Sequence, residues 1–155
     1  AAIFVYLHMW CQIMLGVTKR INTKHYTILG ISVLMLILSH IILFISAVSI
    51  RQGALSLGML LPDFTTGYYS SGLSLGVLAL LFILVSAVSG GLRKKIPKHW
   101  KTGHNFVYIT FTLATLHGLM IGSDVNSGMF SYIIYGAIFS LISVFIFQKL
   151  IKRTN

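Results

Sequence analysis

The chain has 155 residues, of which 56% are hydrophobic and only 9% charged, whereas a soluble domain carries about a quarter charged residues, so the composition predicts an integral membrane protein. The net charge of +10 would also suit a nucleic-acid-binding protein, but the basic residues form short clusters between apolar runs of membrane-spanning length, which argues against nucleic acid as a partner. The acidic residues are only Asp63 and Asp124, and the single cysteine is Cys11, which excludes a paired-carboxylate active site, a disulfide, a cysteine-ligated zinc or iron–sulfur centre and a CxxCH haem attachment within this chain.

Five apolar runs predict an all-α bundle of transmembrane helices that forms a single domain, 1–155. The predicted spans are 3–17, 28–50, 73–92, 105–122 and 129–150. The first run is short for a span, and the sequence begins at Ala1 rather than Met, so a sixth helix upstream is left open. Between the second and third spans, Ala54–Leu61 is apolar but too short to cross, which predicts a surface-lying or partly re-entrant segment. A polar turn, 123–128, separates the last two spans.

The distribution of basic residues predicts the orientation. With five spans, residues 18–24, 93–101 and the C-terminus fall on one side of the membrane, and this side holds every one of the twelve basic residues except Arg51. The positive-inside rule makes that side cytoplasmic. The sequence therefore predicts a multi-pass protein of the cell membrane with cytoplasmic basic loops, a cytoplasmic C-terminus and an outer N-terminus.

Four histidines in or just before two of these spans predict two haems. His25 and His40 are separated by 15 positions, and His104 and His117 by 13, which correspond to roughly 22 and 20 Å along a helix. Because the two spans run parallel, His25 shares a level with His104 near the cytoplasmic side, and His40 shares a level with His117 toward the outer side. Each pair could hold one b-type haem iron through two axial imidazoles, so the predicted pairs are His25–His104 and His40–His117.

The 13-residue spacing is not explained by a straight helix. Thirteen residues leave an angular offset of about 140°, which would aim His104 and His117 apart. Gly103 suggests an irregular start of the helix, and a bulge would also help. Two alternatives to haem stay open: zinc bridged between helices, for which two histidines without carboxylate or cysteine are a poor ligand set, and a non-haem transporter or scaffold whose histidines relay protons or bind metal.

Other residues receive weaker predictions. His8 and His99 are expected to be structural histidines, either hydrogen-bonded to a neighbouring helix or lying at headgroup level. Haem propionates could be neutralised by the basic residues Arg20, Lys24 and Lys101 on the inner side and Arg51 on the outer side, although for the lysines a role in marking the membrane boundary is favoured. Aromatic residues that could line haem edges, or simply pack, are Trp100, Tyr108 and Phe111.

These residues resemble the ferric reductase-like transmembrane domain family. The resemblance is carried by Lys98-His99-Trp100, then His104-Asn105-Phe106-Val107-Tyr108 and His117, and by Leu29-Gly30 before His40. It covers roughly Ile28–Leu119 and is closest to the haem-binding membrane subunit of bacterial methionine sulfoxide reductase systems, the MsrQ or YedZ type. NADPH oxidases and eukaryotic ferric reductases share the broader domain. His25 departs from the MsrQ pattern, which carries arginines near this point, and is more similar to the oxidase arrangement.

The resemblance implies His40, His104 and His117 as haem ligands. Together with the predicted pairs, it leads us to expect a membrane cytochrome b that passes electrons from a flavoprotein or quinol on the cytoplasmic side to a redox protein or small acceptor outside. FMN, FAD or quinone would then belong to a partner or to a domain beyond Asn155. The alternative within the family is an oxidase or ferric reductase core that reduces oxygen or ferric iron directly at the outer haem.

Overall fold

The computed structural model describes residues 2–18, 22–122 and 128–154. In these ranges every regular element is helical and no strand occurs. The helices, numbered in chain order, are α1 (Ala2–Thr18), α2 (Thr23–Gln52), α3 (Tyr68–Gly91), α4 (Trp100–His104), α5 (Phe106–Ile121) and α6 (Met129–Thr154), with one 3-10 turn at Leu57–Leu60.

The prediction of an all-helical membrane protein is confirmed at this level. Three helical segments in the described chain are long and apolar enough to cross a bilayer, namely Lys24–Gln52, Tyr68–Gly91 and Phe130–Leu150. The other two predicted spans correspond to α1 with 17 residues and α5 with 16. The apolar segment before Pro62 forms the short 3-10 turn rather than a crossing helix, and the predicted polar turn lies outside the described residues except for Gly128.

Helix α1 lies at the centre of the bundle. It packs against α2, α5 and α6, and it buries Tyr6, Met9, Gln12 and Ile13. Met9 and Ile13 are each only 2% exposed and belong to the same apolar core as Val107 and Phe111 of α5. The Tyr6 and Phe111 rings stack with their centroids 4.9 Å apart. Phe111 therefore contributes to helix packing.

Polar contacts tie α1 to its three neighbours. His8 Nε2 lies 2.8 Å from Ser32 Oγ on α2, and Trp10 Nε1 donates to Ser140 Oγ on α6 at 3.0 Å. The Tyr6 hydroxyl lies 3.2 Å from Thr115 Oγ1 on α5. Such interhelical hydrogen bonds are worth about 0.6 kcal/mol on average in membrane proteins. They fix the rotation of α1 relative to its three neighbours.

These contacts also fix which helix ends lie together. On α6, Ser140 and Gln148 meet Trp10 and Val17 of α1, so α1 and α6 run parallel. Helix α2 runs antiparallel to α1, since Ser32 meets His8 and Tyr26 lies beside Gly16. A ring contact between Tyr26 and His104 joins the start of α2 to the end of α4.

The described basic residues other than Arg51 consequently gather at one end of the bundle, which we call the basic end. Those with described side chains are Lys24, Arg93, Lys94, Lys95, Lys98, Lys101 and Lys149. Arg51, near the end of α2, lies at the opposite end. The sequence-based grouping of charges is thus reproduced by the packing.

Candidate functional site

His117 sits in a seat formed by the start of α3. Its Nδ1 lies 2.9 Å from the carbonyl oxygen of Gly72. Because a carbonyl oxygen only accepts, Nδ1 carries the proton, and Nε2 is left with a free lone pair. The imidazole lies against Gly76, where an added Cβ would come within 2.7 Å of Nδ1 and 2.8 Å of Cε1. Only glycine leaves room for the ring at this position.

His104 sits in a similar seat nearer the end of α3. Its Nδ1 lies 3.3 Å from the carbonyl oxygen of Ser86 and 3.4 Å from the Ser86 hydroxyl oxygen. That hydroxyl donates in turn to the His104 carbonyl oxygen at 2.8 Å. A Cβ added at Gly90 would lie 3.2 Å from His104 Nδ1. The contacts are longer than those of His117, but the orientation is the same: Nδ1 faces α3.

The two seats repeat one pattern along α3. Each has a carbonyl that faces Nδ1, at Gly72 or Ser86, followed four residues later by a glycine that accommodates the ring, at Gly76 or Gly90. The seats are 14 residues apart on α3, and 14 residues return to within about 40° of the same helix face. One face of α3 therefore orients both His104, at the end of α4, and His117 on α5.

The helix that carries the two histidines is interrupted between them. Helix α4 ends at His104 and α5 begins at Phe106, with Asn105 in a turn between them. The Tyr108 amide donates to the Asn105 carbonyl at 3.1 Å, three residues back rather than four. Gly103 packs against Ser89 of α3, which leaves no space for a Cβ. The two segments are therefore not one straight helix, and both rings meet α3.

His40 is the α2 histidine of the outer predicted pair. It is half-buried in the middle of α2, and its imidazole is near enough to that of His117 for their charges to interact. The pairing of His40 with His117 on one iron stays a prediction. With Nδ1 of His117 held by Gly72, Nε2 is the His117 nitrogen available as a ligand.

The inner predicted pair is arranged differently. His25 is exposed in the first turn of α2, and its backbone amide and Nδ1 lie 3.0 and 2.8 Å from Oδ1 of the capping residue Asn22. The α2 ring that meets His104 is that of the next residue, Tyr26, at a centroid distance of 6.1 Å. Within the described contacts His25 and His104 are not brought together, and their pairing stays a prediction. Sequence reasoning did not single out Tyr26, and no spacing rule would have revealed it.

The remaining histidines and aromatic residues fall into place around this site. The His8 ring bonds to Ser32 on α2, which is one of the two structural roles expected for it, and His99 is exposed beside α4. The Trp100 ring lies 5.9 Å from that of His104, whereas the Tyr108 ring lies 5.6 Å from that of Phe145 on α6. Of the predicted edge-lining aromatics, only Trp100 touches a candidate ligand among the described contacts.

The basic residues named for propionates are exposed where their side chains are described. Lys24 and Lys101 lie at the basic end, at the level of His104, and Arg51 lies at the opposite end. Arg20 lies outside the described residues. The positions of the lysines suit either a boundary role or an anionic group at the inner level.

The described residues offer histidines but no larger cluster of ligating side chains. Among the residues that the structure describes, no three His, Cys, Asp or Glu side chains cluster as they would for a metal ion, and structural zinc takes four ligands. Haem iron needs only two axial donors from the protein. A ligand histidine typically donates its other ring N–H to a carbonyl, which fixes the tautomer and orientation. His117 has this arrangement toward the Gly72 carbonyl.

Comparison with known proteins places no relative beside this chain. No family model, no curated protein and no solved structure matches it.

Proposed function

We propose that this chain is a membrane cytochrome b that carries electrons across the bilayer through two b-type haems. The observation that carries the proposal is the pair of seats on α3. Both His104 and His117 are turned so that Nδ1 meets an α3 carbonyl oxygen, and His40 is near enough to His117 for their charges to interact. If the two histidines served only to join helices, they would not need two similarly built sites on α3.

When bound, haem iron supplies one-electron redox chemistry, and the protein supplies ligands, orientation and a dry surrounding. The outer ligands in this proposal are His40 and His117. The inner ligands are His104 and His25, whose Nδ1 meets Asn22 Oδ1 and whose Nε2 would be the ligand nitrogen. The two levels are about 20 Å apart along α4 and α5. Haems at these levels would divide electron transfer across the membrane into shorter steps.

The proposed direction follows from the charge distribution. The basic end, which carries the inner site, faces the cytoplasm by the positive-inside rule. A flavoprotein or quinol would deliver electrons there, and a redox protein or small acceptor would receive them at the Arg51 end. This scheme agrees with the resemblance of residues 98–117 to the ferric reductase-like transmembrane domain family, which we carry forward as part of the proposal.

The visible spectrum of the purified protein tests the proposal. We expect a reduced b-type absorption band and two haems per chain by pyridine haemochrome assay. Absence of the band in protein expressed with sufficient haem would rule out the cytochrome and favour a transporter or scaffold. His8→Ala is the matched control, since His8 is also a half-buried histidine in a helix but bonds to Ser32. This variant should keep both haems.

Single ligand variants then test the pairs. His40→Ala and His117→Ala should each remove the same haem and leave the other, whereas His104→Ala should remove the inner haem. At the inner level, His25→Ala should abolish the low-spin signal of that haem in electron paramagnetic resonance, and Tyr26→Phe should leave it. If Tyr26→Phe removes the signal and His25→Ala does not, the inner pairing is wrong.

A further inference from the structure

An apolar groove on the outside of α3 runs directly into the basic loop that follows the helix. The groove is lined by Leu84, Val85, Val88, Ser89, Leu92 and Ile96. Five of these six side chains are large and apolar, and Val88 is 59% exposed and Val85 47%. Because α3 is a candidate membrane span, we expect the part of this surface up to Ser89 to face the hydrocarbon of the bilayer rather than water.

The backbone after α3 keeps the groove apolar up to the membrane boundary. The amides of Lys95 and Ile96 both donate to the Leu92 carbonyl, at 2.8 and 2.9 Å. This turn brings Ile96 back beside Leu92 in the groove lining, while the intervening Arg93, Lys94 and Lys95 are exposed at its mouth. The apolar floor of the groove and its cationic mouth therefore belong to one continuous segment, residues 84–96.

This chain has few acidic residues that could pair with the cations at the mouth. One of the two acidic residues, Asp63, lies at the opposite end of the bundle, where its carboxylate accepts hydrogen bonds from Thr65 and Thr66. The other, Asp124, lies outside the described residues. Within the described structure, the basic segment Arg93–Lys95 thus presents three positive charges at the membrane boundary without a carboxylate beside them.

We propose that the groove and its mouth bind an anionic phospholipid of the cytoplasmic leaflet. One acyl chain lies along Val85 and Val88, and the phosphate lies among Arg93, Lys94 and Lys95. The combination selects a lipid over an acidic protein, because a protein that docked on the loop alone would leave the apolar floor unused. Basic clusters immediately beside a membrane helix attract anionic headgroups with about 1 kcal/mol per cation. The proposal does not depend on haem.

Native mass spectrometry of the detergent-solubilised full chain tests this site, with dioleoyl phosphatidylglycerol and dioleoyl phosphatidylcholine as probes. We expect retention of one phosphatidylglycerol under conditions that strip phosphatidylcholine. Arg93→Gln should weaken phosphatidylglycerol binding about five-fold, from the charge contribution of one cation. Arg51→Gln, an equal loss of charge at the other end of the bundle, should leave binding unchanged.

A second pair of variants tests the groove itself. Val88→Trp fills the floor without a change in charge and should abolish retention. Ile142→Trp places the same bulk on an equally exposed position of α6, 53% against 59%, and should have no effect. Equal binding of both lipids, an effect of Arg51→Gln as large as that of Arg93→Gln, or unchanged retention in Val88→Trp would each overturn the site. So would charge variants that impair docking of an acidic redox partner but not phosphatidylglycerol binding.

Discussion

Replacement of Gly76 by alanine should remove the outer haem selectively. A Cβ at this position would lie 2.7 Å from His117 Nδ1, whereas ordinary contact begins at 3.4 Å, so the ring must shift by about 0.7 Å. Such a shift stretches the 2.9 Å bond between His117 Nδ1 and the Gly72 carbonyl beyond useful length. Loss of the partner that orients a metal-ligating histidine typically costs about 10–100-fold in affinity. We expect a loss of this size for the outer haem only.

The pyridine haemochrome assay and a redox titration of the purified variant measure this effect. The ratio of haem to protein should fall from two toward one, and the redox wave that His117→Ala removes should be the one that Gly76→Ala weakens. Gly118→Ala is the matched control: Gly118 is the next residue after His117, and a Cβ added there meets no atom within 4 Å. Two intact haems in Gly76→Ala, or an equal loss in Gly118→Ala, would refute the role assigned to the α3 seat.

Three further predictions concern the bundle and its two ends. Hydrogen bonds from Thr66 and Thr65 lower the pKa of the exposed Asp63 carboxyl from 3.8 to about 2. The stabilisation of this loop by these bonds should be complete above pH 3.8 and be lost as the pH falls through about 2. A 13C NMR titration of Asp63 can follow this loss. Ser140→Ala should destabilise the bundle by about 0.6–1.7 kcal/mol in a detergent unfolding titration, because it removes the acceptor of Trp10 Nε1. A reporter fused after Asn155 should read cytoplasmic.

Each of these has a control or a contrary outcome. Thr66→Val should move the Asp63 pKa back toward 3.8, and an Asp63 that already titrates there in the native protein would contradict the loop structure. Ser143→Ala is the control for Ser140→Ala, since Ser143 Oγ bonds only to the Phe139 carbonyl of its own helix among the described contacts. An equal loss in both variants would show that no interhelical bond was broken. An external reporter would overturn the proposed orientation.

The helices could be predicted from sequence because membrane insertion depends mainly on summed hydropathy over a run of residues. The predicted run 28–50 lies within α2, 73–92 matches α3 to within a few residues, and 129–150 lies within α6. Charge grouping followed for the same reason: alternate loops share a side of the membrane, whatever the packing of the helices. The central position of α1 could not be predicted, because a short apolar run does not reveal how many helices surround it. The structure shows Met9 and Ile13 buried in a helix that packs against three neighbours.

What the sequence determined by itself is which residues could act: four histidines in or just before two apolar runs, in a chain with two acids and one cysteine. Only the tertiary structure decided how they are turned. The break at Asn105, the seats beside Gly76 and Gly90, and the meeting of Tyr26 rather than His25 with the His104 ring all depend on close approach between helices far apart in sequence. Spacing gives the depth of a side chain, but its direction is set by what the neighbouring helix leaves room for.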